Sequence, residues 1–300
     1  MTKAGSVALV GRPNAGKSTL MNRLLAEKLA IVSDKPQTTR HRLVGILSED
    51  RGQMVFYDTP GIHRPLHHLN RRMVQEATDA LNNADVVCLL VDVSQPFGKG
   101  DQFLLDLVKN STRPKVLALN KVDMVQKVLV LPRLARYGET ELFLDQVPIS
   151  ARTGDGCDDL LSILFSHLPE GEPHYDPELL TVHPERFLVA ERIREKVLEQ
   201  TRDELPFASA VLLESWQEEP DRNLIRLHAS ILVERPGQKK ILVGTQGSRI
   251  KSIGTAARLD LEEFLGRRVF LDLRVRLEPD WRQNRRILAD LDRELIARME

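Results

Sequence analysis

The sequence is poor in cysteine and in long apolar runs. Its 300 residues include only two cysteines, Cys88 and Cys157, whose spacing matches no disulfide or metal pattern, so we expect structural thiols in a reducing compartment. No stretch approaches the roughly 18 uninterrupted apolar residues of a membrane span. A strand-like run at residues 6–10 leaves no room for a leading signal segment. The expected location is therefore the cytoplasm.

The sequence also lacks net charge, since 43 basic residues balance 43 acidic ones. A neutral chain would argue against a nucleic-acid partner, but the charge is unevenly distributed. Residues 235–286 contain thirteen Lys or Arg and six Asp or Glu, a local excess of +7. The last third of the chain is therefore the candidate surface for nucleic acid.

The first part of the chain alternates short apolar runs with helix-length segments. Strand-like runs occupy residues 6–10, 53–57, 86–91, 115–119 and 146–149. Apolar strands separated by helices are typical of a buried parallel sheet. Residues 43–47 fit an antiparallel edge strand, because too few residues follow for a helical crossover. We predict an α/β domain over residues 1–168, with a mostly parallel sheet and one antiparallel strand.

Prolines mark the end of this domain, since Pro169, Pro173, Pro177 and Pro184 fall within one short stretch. Neither helix nor strand tolerates that density, so residues 169–184 are predicted to be a linker. Beyond it, residues 185–300 follow the order αββααβ, and a final helix is predicted at residues 281–299. The second domain is therefore predicted to have an α+β fold.

A complete P-loop pattern follows the first predicted strand. It consists of Gly11, Arg12, Pro13, Asn14, Ala15, Gly16, Lys17 and Ser18. The glycines let backbone N–H groups point inward, and the helix that begins near Lys17 adds its positive end, which favours a polyphosphate. Lys17 is expected to neutralise the β and γ phosphates, and the Ser18 hydroxyl to bind Mg²⁺.

A second phosphate-side element is Asp58-Thr59-Pro60-Gly61, at the end of a predicted strand. Ligands of such sheets bind at strand carboxyl ends. We expect Asp58 to hold Mg²⁺ through water and the Gly61 N–H to sense the γ phosphate. A preceding polar loop offers Thr38 and Thr39 to close over Mg²⁺, and we favour Thr39.

The base site is predicted from two further strand ends, Asn120-Lys121-Val122-Asp123 and Ser150-Ala151. The Asp123 carboxylate can accept both the N1 and the 2-amino hydrogens of guanine, whereas adenine offers no such pair of donors. Asn120 is expected to bridge to the P-loop, Lys121 to lie along the ring, and the Ala151 N–H to meet the guanine oxygen. The pattern predicts GTP and GDP as ligands.

With these five ordered elements, residues 1–168 resemble the Era group of translation-factor-class GTPases. In Ras-like enzymes a glutamine that orients water follows the glycine of the second element, but here Ile62 stands there. Catalysis must then depend on Lys17, Thr39, Gly61 and Mg²⁺, with the missing alignment or positive charge supplied by another element or by a partner. Asn14 resembles the asparagine of GTPases that use K⁺ as a fixed positive charge; alternatively, it only shapes the loop.

The basic third contains a GxxG loop, Gly244-Thr245-Gln246-Gly247, between two predicted helices. In the αββααβ order this loop resembles that of a type II KH domain, which binds single-stranded RNA. Lys239, Lys240, Arg249 and Lys251 are candidate phosphate contacts. Arg274 and Arg276 alternate with apolar residues, and they can equally be solvent-facing sheet residues.

A GTPase domain followed by a linker and a KH domain is the arrangement of the Era group. The resemblance implies a monomeric factor that binds the 3′ region of small-subunit (16S) ribosomal RNA and assists assembly of the 30S subunit, with contact at the cytoplasmic face of the membrane in some members. The alternative is a growth or cell-cycle signalling GTPase that uses the KH domain to dock proteins. A tRNA-modifying GTPase is disfavoured because the C-terminal region has no cysteine.

Overall fold

The computed structural model describes residues 2–35, 38–62 and 68–293, and these residues form two compact units that meet in sequence at Val182 and His183. In the first unit the strands are β1 (Lys3–Gly11), β2 (Leu43–Glu49), β3 (Gly52–Asp58), β4 (Val86–Asp92), β5 (Lys115–Asn120) and β6 (Asp145–Pro148). The helices are α1 (Lys17–Leu25), α2 (His68–Asn83), α3 (Lys99–Lys109), α4 (Val130–Gly138) and α5 (Cys157–His167).

The six strands form one sheet in the order β2-β3-β1-β4-β5-β6. Only the β2–β3 pair is antiparallel, and the other neighbours are parallel. The predicted α/β architecture with one antiparallel edge strand is confirmed. Because β1, β3, β4 and β5 all end at the same edge, the loops that follow them converge there.

The segment predicted as a linker packs along the first unit instead of crossing open solvent. The Pro169 carbonyl accepts a hydrogen bond from the Ala4 amide at 3.1 Å, and the Leu180 carbonyl accepts one from Ile46 at 2.8 Å. The side chain of the buried Gln53 makes two hydrogen bonds with the backbone of Tyr175. Its Nε2 donates to the Tyr175 carbonyl, and its Oε1 accepts from the Tyr175 amide. Residues 180–181 thereby occupy backbone groups on the outer edge of β2, which would otherwise be exposed to pairing with another chain.

The second unit contains a three-stranded sheet in the order β7-β8-β9, with β7 antiparallel and β9 parallel to β8. Its strands are β7 (Ala210–Glu219), β8 (Leu224–Val233) and β9 (Arg268–Leu277). Its helices are α6 (Glu185–Gln200), α7 (Leu205–Ala208), α8 (Pro236–Val243), α9 (Ser248–Leu265) and α10 (Arg285–Arg293).

The α6 and α9 helices pack on one face of this sheet around a core that includes Ile193, Leu227 and Ile253. The predicted αββααβ order is observed with α7 as an unpredicted addition. The predicted final helix is split into a short turn at Trp281–Gln283 and α10, and residues 294–299 of that prediction lie outside the described residues. Trp281 anchors this end, because its ring is 1% exposed and its Nε1 donates to the Ala208 carbonyl at 2.9 Å.

Candidate functional site

A cleft of about 420 Å³ lies at the carboxyl edge of the first sheet. The predicted residues that line it are Pro13, Asn14, Gly16, Lys17, Ser18, Thr39, Gly61, Asn120, Lys121, Asp123 and Ala151. Lining residues that the sequence analysis did not assign to the site are Thr19, Ile31, Val32, Ser33, Asp34, Met124 and Arg152, and Thr38 also lines it. The structure therefore brings the P-loop and the predicted base site to opposite ends of one cavity.

The other residues predicted for the nucleotide site do not line this cleft: Gly11, Arg12, Ala15, Asp58, Thr59, Pro60, Ile62, Val122 and Ser150. Several of them hold the loops in place. The Thr59 hydroxyl donates to the Leu9 carbonyl at 2.7 Å, and Arg12 pairs with Asp101 at the start of α3. Thr59 and Arg12 thus support the loops of the motifs and do not face the cleft.

The P-loop conformation depends on Gly16, which has φ +99° and caps the start of α1. A Cβ at this position would lie 2.2 Å from Asn120 Nδ2, so any side chain would collide with the base-site strand. Lys17 is 5% exposed, and its Nζ donates to the carbonyls of Gly11 and Arg12 at 3.3 and 3.2 Å. Burial lowers the pKa of Lys17 to about 8, and the nearby Asp58 carboxylate partly offsets this shift.

Three oxygen-bearing side chains converge beside Lys17. Ser18 Oγ donates to Asp58 Oδ2 at 2.6 Å, and the Ser18 and Thr39 hydroxyls are 2.9 Å apart. Asp58 is fully buried, which raises its pKa, while Lys17 acts in the opposite direction. Within the described residues its buried Oδ1 has no hydrogen-bond partner. A set of hydroxyl and carboxylate oxygens with one carboxylate oxygen unpaired fits Mg²⁺.

The two candidate threonines differ in position. Thr39 Oγ1 lies 3.4 Å from Asp58 Oδ2, within the oxygen cluster. Thr38 Oγ1 instead donates to the Lys35 carbonyl at 2.6 Å. The side-chain positions thus favour Thr39 as the metal-side threonine.

At the base end, Asn120 joins three loops. Its Nδ2 donates to the Ala15 carbonyl at 2.7 Å, which is the predicted bridge to the P-loop. Its Oδ1 accepts the Ala151 amide at 2.9 Å. The Ala151 N–H was expected to meet guanine directly, but in this structure Asn120 holds it because both groups sit at adjacent strand ends. Lys121, with φ +68°, pairs with Asp92 at 2.7 Å.

Both oxygens of Asp123 accept hydrogen bonds. Ser150 Oγ donates to Oδ1 and Arg152 Nη2 donates to Oδ2, each at 2.7 Å. The Ser150 hydrogen bond and the Arg152 charge lower the pKa of Asp123, so this carboxylate is ionised at neutral pH. An ionised acceptor at this position is suited to read two donors on one base edge.

The Ile62 side chain has no group that could orient the attacking water. Its side chain is 2% exposed and packs in the core of the first unit, while its amide donates to the Gly11 carbonyl at 3.2 Å. Asn14 has φ +63°, and its Nδ2 donates to the Asp34 carbonyl at 2.7 Å. This hydrogen bond ties the P-loop to the segment that contains Asp34.

In the second unit the GxxG loop lies between α8 and α9. Gly244, Gln246 and Gly247 all have positive φ, at +73°, +50° and +77°. A Cβ at Gly244 would lie 2.9 Å from the Arg249 backbone nitrogen, whereas a Cβ at Gly247 would meet only Ile250, at 3.9 Å. The first glycine is therefore required for packing, and the second leaves the loop surface open to approach.

The predicted cations around this loop do not all have the same environment. Lys239, Lys240 and Lys251 are exposed, but Arg249 Nη1 donates to the Ile241 carbonyl at 3.2 Å and so caps α8. On β9, Arg274 pairs with Asp272 and Arg276 pairs with Glu214. These pairs favour the interpretation of Arg274 and Arg276 as solvent-facing sheet residues.

The fold and the cleft together define a P-loop GTPase domain joined to a KH-type domain.

Comparison with known proteins agrees with this class and narrows it. Residues 6–121 match the family model described as 50S ribosome-binding GTPase, and residues 204–282 match the KH domain model. GTPase Era from Geobacter metallireducens is 46% identical over 289 residues, covering 96% of this chain and 97% of the relative. GTPase Era from Leuconostoc citreum is 46% identical over 291 residues, covering 96% of each chain. The chain belongs to the Era family of GTPases.

Two solved structures are similar to this chain over nearly its whole length. Era from Aquifex aeolicus bound to GDP and AlF4⁻ has a TM-score of 0.94 and 35% identity, covering 98% of this chain and all of the other. Era in complex with MgGDPNP and nucleotides 1506–1542 of 16S ribosomal RNA has a TM-score of 0.95 and 35% identity, covering 99% of this chain and 100% of that chain. Within residues 2–35, 38–62 and 68–293, no helix is both long and apolar enough to cross a bilayer.

Proposed function

We propose that this GTPase binds GTP in the cleft of its first unit and uses the nucleotide state to control binding of the 3′ region of 16S ribosomal RNA by its KH domain, assisting assembly of the 30S subunit. One observation carries the nucleotide part: Lys17 and Ser18, which donates to Asp58, line the same cleft as the ionised Asp123. Similarity to an Era–RNA complex over nearly the full length supports the RNA part.

At the phosphate end, Ser18, Thr39 and Asp58 are the residues that would hold Mg²⁺, directly or through water. The ion would neutralise charge between the β and γ phosphates. Lys17 supplies a second positive charge from a buried position, where charge interactions are stronger than in water. The Gly61 backbone lies against the P-loop at this end of the cleft. It packs so closely that a Cβ on Gly61 would lie 2.6 Å from the Pro13 Cα.

The hydrolytic step needs a group that Ile62 does not provide. We propose that K⁺ supplies additional positive charge next to Asn14, which lies beside the Asp34 carbonyl. The Asn14 Oδ1 takes no part in that hydrogen bond, and an amide oxygen is a ligand that suits a monovalent cation. The remaining alternative is that a partner supplies the charge.

The base-end assignment is tested by Asp123→Asn. The asparagine amide can donate to the O2 of xanthine, so the variant should lose affinity for GDP and gain affinity for xanthosine diphosphate. Equilibrium titration with both nucleotides measures the change. Asp106→Asn, at an exposed position of α3, is the matched control and should keep the wild-type preference. Unchanged preference in Asp123→Asn would refute the assignment.

The RNA assignment is tested by Gly247→Asp, which places a carboxylate where the RNA backbone must approach. The added side chain meets no atom closer than 3.9 Å, but the φ of +77° makes any side chain there strained, so circular dichroism must first show that the variant is folded. Gly266→Asp is the matched control, because Gly266 also has positive φ and open space but lies at the far end of α9, about 27 Å away along the helix. We expect Gly247→Asp to lose RNA affinity while its GTP hydrolysis stays near wild type.

Equal RNA affinity in Gly247→Asp, Gly266→Asp and the wild type would instead favour a KH surface that docks proteins.

We further propose that the chain acts as a monomer in the cytoplasm, with peripheral contact at the membrane, as the family resemblance implies. Co-sedimentation with 30S subunits and with lipid vesicles tests the two locations separately.

A further inference from the structure

The two partners of Asp123 approach it from different sides. Ser150 is fully buried and reaches Oδ1 from behind the cleft wall. Arg152 lines the cleft, and its side chain is 74% exposed where it donates to Oδ2. The serine therefore occupies a position that a bound base does not need, and the arginine occupies space inside the cleft itself.

The backbone around Arg152 is held without help from its guanidinium. The Ser150 amide donates to the Asp155 carbonyl, and the Gly154 amide donates to the Ser150 carbonyl, both at 2.8 Å. From α1, Arg23 Nη2 donates to the Arg152 carbonyl at 2.6 Å. The Arg152 side chain can thus leave Asp123 while the loop, Ser150 and Asp123 stay in place.

The chemistry of the guanidinium makes it a competitor for the same carboxylate. A guanine base reads Asp123 through two parallel N–H groups on one edge, and arginine presents N–H groups in a similar planar fork. We propose that Arg152 competes with the guanine base for Asp123, and that this competition sets the affinity and the exchange rate of the nucleotide. The inference rests on the proposed guanine-reading role of Asp123.

The competition has a limited and predictable size. An exposed ion pair contributes little free energy, so removing Arg152 should tighten nucleotide binding by about two- to five-fold. The association rate of the nucleotide should rise in the variant, because no Arg152–Asp123 ion pair has to break before the base binds. The dissociation rate should fall, because no arginine can replace guanine as the hydrogen-bond partner of Asp123 during release. Salt weakens the pair, so the difference from wild type should shrink at high ionic strength.

Stopped-flow fluorescence with a labelled GDP tests this on the full chain. Arg152→Ala should associate faster, dissociate more slowly and bind more tightly than wild type. Arg113→Ala is the matched control, because Arg113 is exposed in the loop before β5 and does not line the cleft, and it should behave as wild type. Weaker or unchanged GDP binding by Arg152→Ala would overturn the proposal, since Arg152 would then assist the base or ignore it.

A double-mutant cycle separates this inference from the base-site assignment. In the Asp123→Asn background the arginine loses its anionic partner, so adding Arg152→Ala should leave xanthosine diphosphate affinity unchanged. An equal gain in both backgrounds would show that Arg152 acts elsewhere, which refutes the competition. If Asp123→Asn alone keeps its preference for guanine, the base-site assignment fails instead.

Discussion

Nucleotide binding by this GTPase should take up a proton at mildly alkaline pH. The Lys17 ammonium is buried beside the P-loop carbonyls, and burial lowers its pKa from 10.5 to about 8. A polyphosphate placed against Lys17 favours the charged form and returns the pKa toward or above its ordinary value. Above pH 8 the unliganded lysine is therefore mostly neutral, and it must be protonated when the nucleotide binds.

The size of the effect follows from this shift. At pH 8 about half of the unliganded Lys17 is neutral, so binding should take up about 0.5 proton, and at pH 9 about 0.9 proton. The sign is fixed: affinity for GDP should fall as pH rises through 8, approaching a tenfold loss per pH unit until pH nears 10.5.

Isothermal titration calorimetry at pH 8, where guanine keeps its N1 proton, in two buffers of different ionisation enthalpy, measures the proton uptake directly. Lys17→Met removes the titrating group and should show weaker binding without this uptake. An observed binding enthalpy that is the same in both buffers for the wild-type protein would refute the reasoning.

Other expected results follow from single contacts. If K⁺ acts beside Asn14, single-turnover GTP hydrolysis should be faster in K⁺ than in Na⁺ at equal ionic strength, and Asn14→Ala should abolish the difference; equal wild-type rates in both salts would remove K⁺ from the account. Thr39→Val should weaken Mg²⁺-dependent binding of a GTP analogue more than Thr38→Val does, as titration of Mg²⁺ would show. Lys251→Ala should reduce the salt slope of RNA binding by about one unit in filter-binding assays. Gly254→Ala, inside α9 with open space at its Cβ, should stabilise the second unit by about 0.5–1 kcal/mol in chemical denaturation followed by circular dichroism.

The fold and most of the cleft could be predicted because the motifs carry their own structural context. Each motif follows a strand-like apolar run, and strand ends of a parallel sheet meet at one edge. The observed β1 begins three residues before the predicted strand at residues 6–10 and ends one residue after it. Asn120 reaches the P-loop as expected, because its strand neighbours β4, which neighbours β1.

What the sequence could not show depends on side chains that are distant along the chain. Arg152 and Asp92 belong to none of the motifs, and each pairs with a motif residue, Asp123 or Lys121, that is 29 residues away along the chain. The density of prolines predicts a linker, because it disfavours both helix and strand. Its packing against Gln53 could not be predicted, because a glutamine in a strand gives no signal of the partner it will bind.

The central claim is that nucleotide state controls recognition of the 3′ end of small-subunit ribosomal RNA. The most direct measurement is the affinity of the full chain for that RNA segment and for a scrambled RNA of equal length, each with bound GDP and with a non-hydrolysable GTP analogue. We predict tighter binding of the ribosomal segment and an affinity that differs between the two nucleotides. Equal binding of both RNAs in both nucleotide states would contradict the account.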